Sequence, residues 1–257
     1  MSAGRRTSED ELSKRPRTLS FFVFLGCDWM SRSKEKEWMD LGPAFYTPEE
    51  YADCLKILFD VNRLLGFFRS TVKLLKQFPG DASLVDVGCG GGLFLLHLSQ
   101  HFPNMQFLGI DVSEVAIAQA RNELMHSPSS FGKVEFQLQP QLALELAKQS
   151  IDIVLITLVC HHLDDDELVG FLQNAYQAAR RAVIINDLHR HPVAYWFYKK
   201  ISPVMFRNRL ITHDGLVSIQ RSFTRAELQR LFKRANIQQY EIKWCFPFRW
   251  RVVLWKN

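Results

Sequence analysis

Four glycines behind an aspartate are the first place in this chain where residue type and spacing suggest chemistry. In LVDVGCGGGLF, residues 84–94, Asp86 lies near the end of an apolar run, and Gly88, Gly90, Gly91 and Gly92 precede a second apolar stretch. Glycine tolerates positive φ and lacks the Cβ that would hold a ligand off the backbone, while the first N–H groups of a following helix are free to meet a polar group. A further carboxylate, Asp111 in FLGIDVS, stands 19 positions after Gly92. At that separation the end of a neighbouring strand can present an acid to both hydroxyls of a ribose. A dinucleotide fingerprint, G-x-G-x-x-G, would need its third glycine at position 93, where this chain has Leu93. The pattern is instead G-x-G-x-G, which disfavours a nicotinamide cofactor.

These residues need strands and helices in a fixed order. After Gly80 short apolar runs alternate with helical ones: strands over Leu84–Val87, Gln106–Ile110, Val134–Gln137, Ile151–Leu158 and Ala182–Asn186, and helices over Leu93–Phe102, Glu114–His126 and Asp165–Arg180. A short helix is expected over Leu142–Lys148. Such alternation demands right-handed crossovers and a parallel sheet covered on both faces, so the fold class is α/β, a doubly wound Rossmann-like sheet of seven strands. Upstream, Thr47, Pro48 and Glu50 spell an N-cap, a first-turn proline and a capping box, and one or two helices precede the core, broken at Gly66 and Pro79-Gly80. Downstream, a helix is expected over Val193–Ile201 and a capped one after Thr224. Two strands near Tyr240–Trp244 and Arg251–Trp255 read as an antiparallel edge hairpin. The expected organisation is a tail over 1–29, a helical lid over 30–80, the core over 81–189 and a C-terminal substrate segment over 190–257.

With 257 residues, 47% hydrophobic and 23% charged, the chain suits one large domain and is neither disordered nor membrane-spanning. Its net charge of +5 is uneven: from Arg190 onward 14 Lys/Arg face only Asp214, Glu227 and Glu241. That basic third suits a solvated face or peripheral contact with a membrane surface; without a zinc-finger or homeodomain signature, nucleic acid is not expected. Cys27, Cys54, Cys89, Cys160 and Cys245 are odd in number and scattered, which fits a reducing, cytoplasmic compartment. The apolar Phe21–Leu25 is too short for a secretory signal, and Met30 reads as a second start.

The loop with Asp86 two residues before its first glycine, followed by Asp111, resembles the first two motifs of class I S-adenosylmethionine-dependent methyltransferases. That resemblance implies Asp86, Gly88, Cys89, Gly90 and Gly92 around the methionine part of the cofactor, Asp111 on the ribose and Val112 beside the adenine. The family's third motif is replaced by QLQPQL, where Gln139 stands in as the amide partner. The loop IDIVLITLVCHHLDDDE matches the family pattern, with Leu158 to His162 lining the methyl-transfer mouth. VCHHL in place of the family's Asn/Asp-Pro-Pro-Tyr/Phe disfavours nucleobase amines. Together with NDLHR and RLITHDGLVSIQRSFTRAEL it resembles the ubiquinone and menaquinone type of small-molecule methyltransferases, including those associated with type III polyketide synthases.

The implied activity is methyl transfer to oxygen, or carbon, of a phenolic or quinol-like molecule, in quinone or secondary metabolism. A phenol of pKa about 10 is matched by a histidine near 6.5 as general base. His161, His162, His189 and His213 are the candidates. Of the adjacent pair His161 and His162, one is expected to face the pocket. His213-Asp214-Gly215 is either an oriented imidazole–carboxylate pair or a turn between two helices. Tyr195, Trp196, Phe197 and Tyr198 read as core packing or as the wall of a lipophilic pocket. No metal site is expected: His161-His162 with Asp164 to Asp166 would set adjacent ligands on one turn, which rarely close a site, and the aspartates read as the acidic N-terminus of a helix. The second reading is a protein that binds S-adenosylmethionine without turnover and acts as a partner or scaffold.

Overall fold

A computed structural model describes residues 29, 31–42, 44–127, 133–139 and 146–256. The expected tail over 1–29 lies outside the described residues except for Trp29, as does Met30; so does most of the helix expected over Leu142–Lys148, and its described remainder, 146–148, is not helical.

Within Arg32–Lys256, the chain order is α1 (Pro48–Leu64), α2 (Phe67–Leu75), β1 (Ser83–Val87), α3 (Leu93–His101), β2 (Gln106–Asp111), α4 (Glu114–Met125), β3 (Lys133–Leu138), β4 (Ile151–Thr157), α5 (Asp165–Ala178), β5 (Ala179–Leu188), α6 (Pro192–Met205), α7 (Arg209–Arg221), α8 (Arg225–Arg234), β6 (Tyr240–Cys245) and β7 (Arg249–Trp255). Short 3-10 turns cover Trp38–Leu41 and Cys160–His162. The seven strands run in the order β3-β2-β1-β4-β5-β7-β6, with β1 to β5 parallel and β7 antiparallel to both β5 and β6. The direction of winding reverses between β1 and β4. In open α/β sheets a crevice forms at the carboxyl ends of the strands at such a switch point, and both the glycine loop and the Cys160–His162 turn leave the sheet there.

Alternation along the strands divides the core into two layers. Leu84, Phe107, Ile153, Leu155, Ile184 and Val253 pack with α2, α3 and α4, through side chains such as Phe68, Leu95 and Ile117. Their neighbours Val85, Val87, Val154, Ile156, Val183, Ile185 and Val252 pack with α5 and α8, through Phe171, Leu172, Leu231 and Phe232. A strand buried on both faces must be apolar at successive positions, which is why β4 and β5 read as continuous Val/Ile/Leu runs. Each such side chain contributes about 1.5–3 kcal/mol of transfer free energy.

Helix starts follow side-chain chemistry. Capping boxes are present at Thr47/Glu50, Asp164/Glu167 and Thr224/Glu227, and Ser113, His191 and Asn208 cap α4, α6 and α7. The acidic run Asp164 to Asp166 is the start of α5, as expected. Several features differ from the sequence reading, and three of them have a clear physical reason. Helix α5 ends at Ala178 rather than Arg180, because Arg180 and Arg181 already belong to β5 and turn their guanidinium groups onto Asp152. Helix α6 continues past Ile201 to Met205, with Pro203 inside it. His213-Asp214-Gly215 is no turn: it lies in the middle of α7. Gly215 serves close packing there, since a Cβ would meet the Tyr198 hydroxyl at 2.3 Å.

Candidate functional site

The glycine loop is shaped by its own backbone. The N–H groups of Gly88 and Cys89 both donate to the Ile110 carbonyl, at 2.8 and 3.0 Å, tying the end of β1 to the end of β2. Gly88, Gly90 and Gly92 have φ of 74°, 54° and 76°. At Gly88 the need for glycine is doubled, because a Cβ would lie 2.3 Å from Val159 Cγ2 on the loop after β4. The Gly90 N–H donates to Asp111 Oδ2 at 2.8 Å and the Ser113 N–H to Oδ1 at 2.9 Å. The Val112 N–H also turns to this carboxylate, which keeps acceptor capacity for a further donor. Burial pushes the Asp111 carboxyl upward against these hydrogen bonds.

Asp86 is buried beneath the loop and its Oδ1 has no hydrogen-bond partner. Burial, reinforced by the charge on Asp111, raises its carboxyl to about 8. Cys89 is buried and its thiol is pushed up for the same first reason. Val112 is exposed, Leu158 takes φ of 58° with its N–H on the Asn186 carbonyl at 2.8 Å, and the Gln139 N–H donates to the Asp111 carbonyl at 2.9 Å. Asp86, Cys89, Gly90, Asp111, Val112 and Gln139 thus gather about the ends of β1, β2 and β3, while Leu158 sits at the end of β4. Helix α1 roofs this region: Leu55 packs against Gly90 and Gly91, and the Tyr51 hydroxyl faces Ser113 and Asp111.

The four histidines do not converge on one point. His161 is buried, with Nδ1 2.7 Å from Asp187 Oδ1 and Nε2 3.4 Å from Glu37 Oε1. Burial alone would lower the ring's pKa, but Asp187 and Glu37 outweigh it and hold it up to about 10. A ring in that state already carries the proton that a general base would have to accept. His162 sits 3.0 Å from the Asp40 carboxylate through Nδ1 and also turns Nε2 toward Glu37. The expectation that adjacent histidines diverge fails because the tight 3-10 turn brings their rings together, with centroids 4.3 Å apart and planes tilted by 34°. His189 follows β5 but leans on the hairpin side, where its Nδ1 accepts the Trp244 indole N–H at 3.2 Å; burial and then the neighbouring His191 lower it to about 4. His213 stacks on Trp38 at 3.8 Å and pairs with Asp214 at 2.7 Å. Asp214 in turn accepts the Trp38 and Met39 backbone N–H groups.

Sequence reasoning missed several partners. Glu37 and Asp40 come from the N-terminal turn, and Arg221 from the end of α7 donates to the carbonyls of both His161 and His162. Asp187 could have been found, since parallel pairing of β4 with β5 brings the end of NDL beside the turn after Thr157. Arg249 is the other omission. It opens β7 opposite Leu188, at the carboxyl end of β5, with its guanidinium 4.8 Å over the Phe67 ring. Its side chain is buried, Nε and Nη1 have no hydrogen-bond partner, and burial lowers it to about 10 despite the opposing pull of Asp187 and Tyr198. The aromatic run on α6 is split: Tyr198 is half-buried and bonds the Ile211 carbonyl at 2.6 Å, whereas Trp196 and Phe197 are exposed.

Residues 84–182 match the family of methyltransferase domains. A curated relative, the carboxy-S-adenosyl-L-methionine synthase of Nautilia profundicola, is 34% identical over 95 residues, covering 34% of this chain and 39% of its own length. The chain thus matches about two fifths of that relative. Among solved structures, a SAM-dependent methyltransferase from Aquifex aeolicus superposes with a TM-score of 0.60 at 17% identity, covering 81% of this chain and 97% of that one. The plantazolicin methyltransferase BpumL, solved with a desmethyl-plantazolicin analogue and SAH, gives a TM-score of 0.62 at 18% identity, covering 81% and 89%. Fold, loop and family match agree on one region: the sheet has the Rossmann-like architecture of these neighbours, and residues 84–182 are similar to methyltransferase domains.

Proposed function

We propose that this chain is a class I S-adenosylmethionine-dependent methyltransferase acting on a small molecule whose nucleophile is an anionic oxygen, with a phenolic or quinol-like acceptor as the leading case and carbon methylation as its variant. S-adenosylmethionine, when bound, supplies a methyl carbon on a sulfonium that an oxygen lone pair displaces in line, leaving S-adenosylhomocysteine and, from a phenol, one proton. The residues present fit that cofactor. Asp111 keeps acceptor capacity for a ribose hydroxyl, Asp86 keeps a buried oxygen without a partner below the loop, and the glycine floor carries no Cβ. Val112, Gln139 and Leu158 line the adenine and mouth sides, with Gln139 as the substitute for the missing third motif.

The single observation that carries the acceptor class is Arg249. A guanidinium with two buried, unpaired nitrogens is expensive to keep in an apolar setting, and an acceptor oxygen bearing negative charge satisfies it. It also favours the phenolate over the phenol, which lessens the need for a general base; alignment and exclusion of water then do most of the work. His161 and His162 act as positioning groups for the turn after β4. His213, whose Nδ1 lies 2.7 Å from Asp214 and whose Nε2 lies 3.8 Å from Glu35 Oε1, is the base to test where the acceptor needs one. Residues 30–80 serve as the lid through Tyr51 and Leu55, and 190–257 as the acceptor segment. A lipophilic acceptor and peripheral membrane contact are supported by the exposed Val193, Trp196 and Phe197 beside Lys199 and Lys200 on α6 and by Phe246 at the hairpin tip, although no described helix is long and apolar enough to cross a membrane.

Calorimetry with S-adenosylmethionine and S-adenosylhomocysteine on wild type and Asp111→Ala tests the first claim. Loss of two hydrogen bonds to a charged group weakens binding by about 100-fold. A folded wild type that binds neither ligand overturns the reading. Binding without a methylated product across phenol, quinol and carboxylate panels favours the partner or scaffold reading instead.

A further inference from the structure

Glu37, His161 and His162 meet in a way that methyl transfer does not use. His161 Nε2 lies 3.4 Å from Glu37 Oε1 and His162 Nε2 lies 3.9 Å from Glu37 Oε2, and the donor atoms of the three residues fall within 4.8 Å of one another. Each imidazole is oriented from behind by its own carboxylate, Asp187 on His161 Nδ1 at 2.7 Å and Asp40 on His162 Nδ1 at 3.0 Å. A carboxylate on one ring nitrogen fixes the tautomer that leaves the other lone pair facing forward, the outer shell found behind metal-bound histidines. The frame is rigid. Arg221 Nε holds the His161 carbonyl at 2.9 Å, Arg32 Nη2 holds the Leu163 carbonyl at 2.7 Å, and the Ser218 hydroxyl donates to Glu37 Oε1 at 2.7 Å.

A plain ion-pair network needs one carboxylate per ring; here each ring has its own and both share Glu37 besides. We propose that Glu37, His161 and His162 form a site for one divalent cation of the zinc type, with Asp187 and Asp40 as the carboxylates that orient the two imidazoles. Donors 3–4 Å apart are spaced as ligands around an ion bound at about 2.0–2.2 Å. Two imidazole nitrogens with one carboxylate favour zinc or cobalt over magnesium or calcium, whose preference is for oxygen alone. The His162 side chain is 26% exposed, which leaves an entry path and room for water as a fourth ligand. The ion pins the Trp38–Leu41 turn to the loop after β4 and so fixes that wall of the acceptor mouth.

The test is titration of the chelator-stripped full chain with Co²⁺, followed by visible absorption, and with Zn²⁺ by calorimetry, at pH 8 and without methyl donor. The expected result is one equivalent bound at micromolar or tighter dissociation constant, weakened at least 100-fold in Glu37→Gln and His162→Gln and about 10-fold in Asp40→Asn. Wild type that binds neither ion overturns the proposal. So does binding that persists unchanged in variants that circular dichroism shows to be folded. If the two ligand variants fail to fold, Asp40→Asn decides, and an unchanged affinity there overturns it. No outcome depends on methyltransferase activity.

Discussion

The two ends of the crevice are built by different means. At the β1 and β2 end, the floor consists of backbone groups from residues 84–92 and 106–113, and the bonds that shape it run from Gly88, Cys89 and Gly90 to Ile110 and Asp111. At the β4, β5 and β7 end, the working groups are side chains from Glu37, His161, Asp187, Arg221 and Arg249, brought together across the whole chain. The first end places a common cofactor and needs little more than glycine, one carboxylate per strand and a helix N-terminus. The second end is the one proposed to meet the acceptor, and its buried charges are either paired several times over or, at Arg249, left with two nitrogens unpaired.

The largest effect that sharpens this contrast is expected at Arg249. Arg249→Met should raise the KM for a phenolic or carboxylate acceptor by about 10- to 100-fold, a buried charge-assisted hydrogen bond or two, while S-adenosylhomocysteine affinity stays within about two-fold. Steady-state kinetics beside calorimetry separates the two. Thermal stability should hold, because the substitution removes a buried charge whose Nε and Nη1 have no hydrogen-bond partner in the folded chain. A joint loss of cofactor and acceptor binding would erase the distinction between the two ends.

At the other end, Asp86 links stability to pH. Its carboxyl is held at about 8 when folded against about 3.9 unfolded, so the folded state favours the proton. That stability is complete below about pH 4 and is lost as pH rises toward 8, with a slope of at most about 1.4 kcal/mol per unit. Melting temperatures of the cofactor-free protein should fall between pH 5 and 8.5, and Asp86→Asn should flatten the profile. A wild-type profile as flat as the variant's would show that the carboxylate finds compensation where Oδ1 now has none.

The smallest effect concerns neither end. Trp196→Ser with Phe197→Ser should reduce co-sedimentation with anionic vesicles by a few-fold and leave turnover of a water-soluble acceptor unchanged; equal sedimentation of both proteins would remove the membrane surface from the picture.

Much of the first end was legible in the chain. LVDVGCGGGLF and FLGIDVS are contiguous, and a strand, a turn that demands positive φ and a capped helix each follow from local rules, so Asp86, Gly88, Gly90, Gly92 and Asp111 could be named without a structure. The antiparallel hairpin was legible as well, as two strands near Tyr240–Trp244 and Arg251–Trp255, the second of which the structure starts at Arg249. Misreadings arose where packing overruled local signals. Asp-Gly at 214–215 suggests a turn, but Asn208 starts a helix and Tyr198 requires the missing Cβ, so the pair lies inside α7. His161 and His162 were visible as chemistry, while Glu37, 124 positions before His161, carried no local mark of being their partner.

Sequence alone therefore determined the order of strands and helices from β1 to β5 and the glycine floor, because those depend on periodicity, capping and backbone conformation over a few residues. The tertiary structure decided which charges meet: that His161 is clasped between Asp187 and Glu37, that Arg221 holds the turn after β4, and that Arg249 is buried beside Phe67 without a partner. Those outcomes depend on burial and on distances between remote segments, which strand order and register set and which no short window of sequence contains.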